Sequence, residues 1–261
     1  MAELTLTVLG SGTSVGVPTI GCDCKVCSST DPRDSRLRPS VMLRWEGRTV
    51  LVDTGPDFRQ QALRYGIRQI DAVLYTHAHA DHILGIDDLR PFNYHQRGAV
   101  SIYASADTLE VIRRVFSYIF HEGEMESSRP KIAAHVFDAE PIRLFGIDVM
   151  PIPVKHGKGP CHGFRFGPLA YLTDHSEIPE ESVRLLAGVE VLFLDALRYK
   201  PHPTHTTVSE SLKTVERIGP RMTYFTHISH DLGHERANSL LPEHVRLAYD
   251  GLEVKVEAPL A

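Results

Sequence analysis

Four potential metal ligands lie within six consecutive residues of this chain, namely His77, His79, Asp81 and His82. Imidazole nitrogens and carboxylate oxygens are common ligands of divalent transition metals. Residues two apart in an extended segment point to the same side, so His77 and His79 can bind one ion. Asp81 and His82 then face a second ion. A lone His-x-His pair also fits two unrelated surface histidines, but the full pattern predicts a metal site.

Short elements of secondary structure are expected on either side of this cluster. Residues 71–75 form an apolar run typical of a short buried strand, and residues 83–89 have a pattern typical of a short helix. A site where a strand ends and a helix begins is common in layered α/β proteins.

Other potential ligands follow predicted strands in the same way. His156, Asp174 and His227 each stand at the end of such a strand, as Asp53 does upstream. Each taken alone fits an ordinary structural role, but the shared position favours metal binding. The residues divide into two sets: His77, His79, His156 and Asp174, and Asp81, His82, Asp174 and His227.

Two such sets predict a dinuclear hydrolytic centre. A carboxylate has two oxygens, so Asp174 can bridge both ions. Ions about 3.5–4 Å apart hold a hydroxide between them and stabilise both the attacking and the leaving oxygen of a displacement. Because bound metal lowers the pKa of water to about 7, no serine or cysteine nucleophile is required.

Three of the four cysteines lie close together as Cys22, Cys24 and Cys27, with Cys161 far away. Thiolates at this spacing can converge on one tetrahedral ion, usually Zn²⁺, with a fourth ligand from elsewhere. The alternative is three free cysteines. The crowding suits a metal site in a reducing compartment better than a disulfide framework, which predicts a cytoplasmic protein.

Composition limits the remaining classes of function. The 261 residues carry 28 basic and 33 acidic side chains, a net charge of −5, which argues against a protein whose main task is to bind nucleic acid. The first nine residues alternate like a strand and lack the basic region of a signal peptide. No apolar run approaches the roughly 18 residues of a membrane helix. Without a linker or internal repeat, residues 1–261 are expected to form one domain.

A glycine-rich turn over residues 10–16 invites comparison with phosphate-binding loops. It lacks the Lys-Ser/Thr ending of a P-loop and the glycine spacing of a dinucleotide site. It therefore predicts a tight turn that passes close to other backbone, the alternative being a role in admitting substrate or metal.

Patterning predicts the other elements. Strands are expected over 4–9, 41–45, 48–53, 100–103, 132–137, 147–152, 163–166, 169–173, 191–194, 222–226 and 252–256, and helices over 58–65, 106–119, 180–187 and 206–218. Residues 121–130 are acidic and irregular and predict an exposed loop or small cap.

The motif Thr-His-Ala-His-Ala-Asp-His over 76–82, with Asp53 upstream and the later ligands downstream, resembles the metallo-β-lactamase superfamily. Gly-Ser-Gly-Thr-Ser-Val-Gly-Val-Pro followed by Cys-x-Cys-x-x-Cys resembles its PhnP-type phosphodiesterases. The resemblance implies an α/β fold, a four-layer αββα sandwich of two mixed β-sheets. It also implies hydrolysis of a small phosphodiester, such as 5-phosphoribosyl 1,2-cyclic phosphate, by hydroxide bound to two divalent ions, Mn²⁺ or Zn²⁺.

The resemblance further implies a separate structural zinc bound by three cysteines and a histidine. By position the ligands are Cys22, Cys24, Cys27 and His230, in a zinc-clip loop at about residues 20–38, with His234 as the competing fourth ligand.

The family's catalytic residues correspond to His205, Asp81 and Asp53. His205 resembles the general acid that protonates the leaving alkoxide, with His202 as its rival and a helix-cap histidine as the structural alternative. Asp81 is also a metal ligand. Asp53 resembles a carboxylate that orients a ligand histidine without binding metal.

Substrate and assembly are less defined. Arg36, Arg38 and Arg90 can pair with a phosphate, but an ordinary structural or solvated role is the stronger interpretation for each. The expected partner is a small-molecule phosphodiester, with no nucleic acid and no membrane. A homodimer is compatible with the resemblance. The alternative functions are a tRNA 3′-processing endonuclease like RNase Z and a cofactor-biosynthesis protein like PqqB.

Overall fold

The computed structural model describes residues 1–121, 123 and 128–260. Its strands are β1 (Ala2–Gly10), β2 (Ser40–Trp45), β3 (Arg48–Val52), β4 (Ala72–Leu74), β5 (Val100–Ala104), β6 (Ile132–Val136), β7 (Ile142–Leu144), β8 (Ile147–His156), β9 (Gly159–Phe166), β10 (Leu169–Leu172), β11 (Val191–Asp195), β12 (Met222–Thr226), β13 (Val245–Leu247) and β14 (Glu253–Ala258). The helices are α1 (Phe58–Arg64), α2 (Ala80–Ile83), α3 (Arg90–Gln96), α4 (Ala106–Val115), α5 (Glu180–Leu185), α6 (Val208–Ile218) and α7 (His234–Asn238). Short 3₁₀ turns cover Pro32–Asp34 and Ile86–Leu89.

Over these described ranges the strands form two seven-stranded sheets, in the orders β14-β1-β2-β3-β4-β5-β6 and β13-β12-β11-β10-β9-β8-β7. Each sheet is antiparallel on one side and parallel on the other. In the first, β3 to β6 run parallel, and in the second, β10 to β13 run parallel. The parallel strands of a sheet end at the same edge, where their following residues meet.

Three apolar clusters define the layers. One contains inward-facing residues of both sheets, such as Leu43 and Phe193. A second joins the outer face of the first sheet to helices α1, α3 and α4, and a third joins the outer face of the second sheet to helices that include α6. Three interlayer cores separate four layers, so the predicted αββα sandwich of two mixed sheets is confirmed.

Most predicted elements are present within a few residues, and the differences are local. The helix expected over 83–89 begins earlier, at Ala80, so Asp81 and His82 lie on it, and a 3₁₀ turn follows. The helix expected over 106–119 ends at Val115. Helices α3 and α7 and strands β7 and β13 were not predicted. Half of the loop expected at 121–130 lies outside the described residues.

The glycine-rich turn passes close to backbone, as predicted. A Cβ on Gly10 would lie 1.9 Å from the carbonyl oxygen of Arg38, and one on Gly12 would lie 2.9 Å from that of Arg36. Atoms cannot approach so closely, so these positions require glycine. Separately, none of the described helices is long and apolar enough to cross a membrane.

Candidate metal centre

The backbone turns sharply where strands deliver residues to the site. Asp53 follows β3, Asp174 follows β10 and His227 follows β12, and their φ angles are 63°, 43° and 56°. Positive φ is uncommon for residues other than glycine and is tolerated where surrounding structure holds it. Three such residues in one place indicate that the fold tolerates backbone strain in order to orient these side chains toward the site.

The first predicted ligand set is brought together. One ligand atom from each of its members lies within 4.8 Å of the others: His77, His79, His156 and Asp174. The Nε2 atoms of His77 and His156 lie 3.9 and 3.8 Å from Asp174 Oδ2. His156 Nε2 lies 3.2 Å from His79 Nδ1. His79 is exposed, so this set opens to solvent.

The second predicted set is also brought together and is fully buried: Asp81, His82, Asp174 and His227. His82 Nε2 lies 3.2 Å from Asp81 Oδ2 and 3.4 Å from Asp174 Oδ1. His227 Nε2 lies 3.3 Å from Asp174 Oδ2. Ligand atoms about 2.1 Å from a shared ion are about 3.0–3.4 Å apart, so this spacing suits one ion. Asp174 belongs to both sets.

The residues present fit divalent metals. Five buried side-chain atoms in the two sets have no hydrogen-bond partner. One is His227 Nδ1, and the other four are candidate ligand atoms: His77 Nε2, Asp81 Oδ2, His82 Nε2 and His227 Nε2. Unpaired buried polar atoms are costly, and here they converge. Cations bound in the two sets would satisfy all four candidate ligand atoms.

Contacts behind the ligands orient them. Asp53 is fully buried and receives hydrogen bonds from the Thr76 backbone N–H (2.9 Å), the Thr76 hydroxyl (2.9 Å) and His82 Nδ1 (2.7 Å). His156 Nδ1 donates to the carbonyl of Thr204 at 2.8 Å. These bonds fix the tautomer and leave each Nε2 free as a ligand. Asp53 thus has the orienting geometry predicted for it.

The histidines of the two sets differ in the direction in which their pKa values are shifted. Burial lowers the pKa of His77 well below its ordinary value and that of His156 to about 4, so both are neutral ligands at pH 7. Burial also opposes charge on His227, but the carboxylates of Asp174 and Asp81 outweigh it and raise the pKa to about 9. A metal bound there must displace a proton, so its affinity falls as the pH is lowered.

His205 lies beside this centre, and its partner was missed in the sequence. His205 Nε2 lies 3.9 Å from Asp174 Oδ2, and its Nδ1 hydrogen-bonds to Asp195 Oδ2 at 2.7 Å. Asp195 ends β11, next to the strands that carry Asp174 and His227. Its position at a strand end was the available signal. The rival His202 has its ring 5.1 Å from that of His205, and its Nδ1 contacts the hydroxyl of Thr204.

A groove of about 440 Å³ opens from the first ligand set. Its floor includes His79 and His156, and its walls come from the start of α4 and the turn between β8 and β9. Lys158 is the one lysine or arginine among the described residues that line it, and Asp107 is the one acid.

The cysteines form a second cluster with His230. The Sγ atoms of Cys22, Cys24 and Cys27 lie 3.3, 3.6 and 3.4 Å from His230 Nδ1. For a tetrahedral zinc with bonds of about 2.3 Å to sulfur and about 2.05 Å to nitrogen, this separation is about 3.5 Å. The rival His234 is buried nearby but is not among the residues whose ligand atoms converge, and its ring packs against Tyr249. The geometry therefore selects His230.

The three arginines have protein partners. Arg36 is buried, and its guanidinium donates to Asp34 and to the carbonyls of Ser229 and Leu232. It thereby anchors the segment that carries His230. Its structural interpretation is confirmed.

The other two arginines pair at the surface. Arg38 pairs with Asp57 at 2.9 Å and donates to the carbonyl of Ser14. Arg90 pairs with Asp87 at 3.0 Å and donates to the carbonyl of Ser128.

Comparisons with known proteins agree with this geometry. The family described as "Beta-lactamase superfamily domain" matches residues 48–228. A solved structure described as a new diphosphatase from the PhnP family is 54% identical and superposes with a TM-score of 0.93, covering 99% of this chain and 100% of that one.

Two further relatives are named for activities other than that of a PhnP-family diphosphatase. The octanoyltransferase of Porphyromonas gingivalis is 38% identical over 253 residues, which is 96% of this chain and 51% of that protein. The ribonuclease Z of Bradyrhizobium diazoefficiens is 29% identical over 143 residues, 53% of this chain and 47% of that protein. The chain therefore spans about half the length of these two relatives.

Proposed function

Because the chain belongs to the metallo-β-lactamase superfamily and to its PhnP branch, and is a metal-dependent hydrolase, we propose that it hydrolyses a small phosphodiester at a dinuclear centre. The observation that carries the proposal is the shared carboxylate of Asp174, which faces both ligand sets while four buried ligand atoms around it lack partners. Mn²⁺ or Zn²⁺ is the proposed occupant of both sets, and Zn²⁺ of the cysteine cluster.

Bound divalent ions would supply hydroxide at neutral pH and stabilise charge on the phosphoryl oxygens. The chain's own residues orient the side chains that would bind these ions. Asp53 holds the ring of His82, and the carbonyl of Thr204 holds that of His156, so the ligand geometry is set before substrate arrives.

His205 is the proposed general acid. Asp195 Oδ2 accepts a hydrogen bond from Nδ1–H, which directs Nε2 at the centre. In the imidazolium form Nε2 also carries a proton, which it can give to a leaving alkoxide, and His205 is then left neutral. His202 lies one ring further out, and its Nδ1 contacts the backbone N–H and the hydroxyl of Thr204 rather than a carboxylate, so it is the weaker candidate.

The groove beside the metals is the proposed substrate site. Lys158 on one wall offers a charge for a second phosphate, and Asp107 on the other can accept hydrogen bonds from sugar hydroxyls. A volume of about 440 Å³ suits a small substrate. The net charge of −5 supports the same choice over a tRNA precursor.

A diphosphate ester is the second candidate substrate, because the PhnP-family neighbour at 54% identity is described as a diphosphatase. The same centre serves both, since each reaction displaces oxygen from phosphorus. Octanoyl transfer is not carried over, because this chain spans only half of the protein that bears that name. The complete ligand set together with His205 favours hydrolysis over a role like that of PqqB.

The proposal is tested by stripping the protein of metal and reloading it. Turnover of bis-p-nitrophenyl phosphate is expected with Mn²⁺ and is expected to be lost in metal-free protein. His227→Ala should abolish it, while the exposed His244→Ala serves as the matched control. The absence of turnover with Mn²⁺, Zn²⁺, Ni²⁺ and Fe²⁺ alike would refute a phosphodiesterase.

A substrate panel then separates the candidates. The panel contains 5-phosphoribosyl 1,2-cyclic phosphate, ADP-ribose as a diphosphate and a tRNA precursor, each followed by product analysis. Preference for the cyclic phosphate supports the first candidate, and preference for the diphosphate supports the second. Preference for the tRNA precursor would contradict both.

A further inference from the structure

The rings of His205 and His227 are stacked side by side. Their centroids are 4.5 Å apart and their planes differ by 11°. Both Nε2 atoms face the same oxygen, Asp174 Oδ2, at 3.9 Å for His205 and 3.3 Å for His227. Their Nδ1 atoms therefore lie on the opposite edges of the rings, away from the metal ligands.

Asp195 lies on the Nδ1 side of the His205 ring. Its Oδ2 accepts from His205 Nδ1 at 2.7 Å and from the backbone N–H of His175 at 3.1 Å. Asp195, His205 and His227 each offer one ligand atom, and these atoms lie within 4.8 Å of one another. The carboxylate is thus near both rings but is bonded to one.

The unused groups match as donor and acceptor. Asp195 Oδ1 is buried and has no hydrogen-bond partner, and the same is true of His227 Nδ1. A neutral histidine that binds metal through Nε2 carries its proton on Nδ1. Ligand histidines almost always donate that proton to an acceptor. Asp195 Oδ1 is a suitable acceptor because it is buried and accepts no other hydrogen bond.

We propose that Asp195 is a positioning residue for two histidines at once. Its Oδ2 orients His205, and its Oδ1 accepts the Nδ1 proton of His227 when a divalent ion occupies the second ligand set. One carboxylate then links the proton donor to the metal ligand. The inference rests on the proposed metal centre and goes beyond it, because it gives Asp195 an effect on metal affinity that His205 does not share.

The neighbouring strand supplies a rival acceptor. The hydroxyl of Thr226 is also buried without a partner, and Thr226 is the register partner of Asp195 across β11 and β12. A test must therefore separate the carboxylate from the hydroxyl. Thr226→Val removes the hydroxyl and keeps the shape of the side chain.

The affinity of the metal-free protein for Zn²⁺, measured by competition with a chromophoric chelator, distinguishes these roles. Asp195→Asn is expected to weaken Zn²⁺ at the second ligand set about 10- to 100-fold. The asparagine side chain has only one oxygen, so the Nδ1–H group of either His205 or His227 would face an N–H group in place of an acceptor. His205→Gln and Thr226→Val are expected to stay within about twofold of the wild type.

Two results would overturn the inference. Wild-type affinity in Asp195→Asn would confine Asp195 to His205, and a loss of affinity in Thr226→Val alone would make the hydroxyl the acceptor. The melting temperature of each metal-free variant shows whether it is folded. If the wild-type chain bound no divalent ion, the proposed function would be refuted together with the inference. If the wild-type chain bound Zn²⁺ and Asp195→Asn bound it equally well, only the inference would be refuted.

A crystal structure of the zinc-loaded wild-type protein tests the same point without any substitution. The expected distance from Asp195 Oδ1 to His227 Nδ1 is about 2.7–3.2 Å. A distance beyond about 3.5 Å with zinc bound to His227 Nε2 would overturn the inference.

Discussion

At the scale of single residues, His205 has one ring nitrogen held by Asp195 and the other directed at the ligand carboxylate Asp174. This geometry suits a proton donor that does not itself bind metal. The distinction matters because a stacked histidine so close to the centre can also be an extra ligand.

His205→Ala is expected to keep both active-site metals and to lose turnover selectively. A positioned general acid contributes about 10²- to 10⁴-fold, but only where the leaving group needs a proton. Alkyl phosphodiesters should therefore lose far more activity than p-nitrophenyl esters, as measured by kcat for both in the same preparation. A drop in bound metal would instead identify His205 as a ligand.

Lys158 tests whether the groove selects a second phosphate. Lys158→Gln is expected to raise KM about tenfold for 5-phosphoribosyl 1,2-cyclic phosphate, which corresponds to about 1.4 kcal/mol of binding. KM for bis-p-nitrophenyl phosphate, which has no second phosphate, should change little. Lys155→Gln is the matched control, because Lys155 is exposed on the same hairpin and already paired with Glu177 at 2.9 Å. Equal changes in the two variants would contradict the role of Lys158.

The seven candidate ligand residues could be grouped from the sequence because four of them form a dense local motif and the others share one simple position. His156 is the last residue of β8, Asp174 and His227 follow β10 and β12, and strands that run in the same direction end at a common edge. Asp195 satisfies the same rule but was overlooked. Its contact with His205 depends on how the segment between them folds back, and no local spacing encodes that path.

At the scale of elements, the start of α6 holds the end of β11, where Asp195 contacts the proposed proton donor His205. The hydroxyls of Thr206 and Ser211 both donate to the backbone carbonyl of Asp195, at 2.9 and 2.6 Å. The helix begins with a capping box, in which Thr207 and Glu210 satisfy each other's backbone N–H groups. The helix start is thereby tied to the end of β11.

Thr207→Ala is expected to lower the free energy of unfolding by about 1 kcal/mol through loss of the cap. For a chain of this size the melting temperature should fall by about 2–4 °C, measured by calorimetry. Thr214→Ala is the matched control, since Thr214 lies within the same helix and its hydroxyl bonds only to the carbonyl of Glu210. An equal fall in the control would mean that the cap is not the cause.

Element boundaries were less predictable than element types. Helix α2 begins inside the motif because the backbone of α2 packs against Gly55, where a Cβ would lie 1.9 Å from the carbonyl oxygen of Asp81. That contact is tertiary and leaves no periodic signal. Helix α3 has Pro91 in its first turn, where proline is well tolerated, but its mixed side chains hid the helical pattern. Strands β7 and β13 have three residues each, too few to show alternation.

At the scale of the whole molecule, the cysteine cluster joins distant parts of the chain. His230 lies 208 residues after Cys22 and three residues after the candidate metal ligand His227. Arg36, which is buried and paired with Asp34, holds the same junction because its guanidinium donates to the carbonyls of Ser229 and Leu232. An ion bound by the cluster would therefore stabilise the segment that leads directly out of the candidate metal centre.

Cys24→Ser is expected to cost one tightly held zinc per chain, measured by elemental analysis of protein purified in zinc. It should also lower the melting temperature, because the ion ties the loop at residues 22–27 to His230. Cys161→Ser is the matched control: Cys161 is buried in β9 and is not part of the cluster, so this variant should keep its full zinc content. Unchanged zinc in Cys24→Ser, or an equal loss in Cys161→Ser, would refute a structural zinc at the cysteines. Retention of the two active-site metals in Cys24→Ser would show that the cluster stabilises the junction without supplying the catalytic ligands.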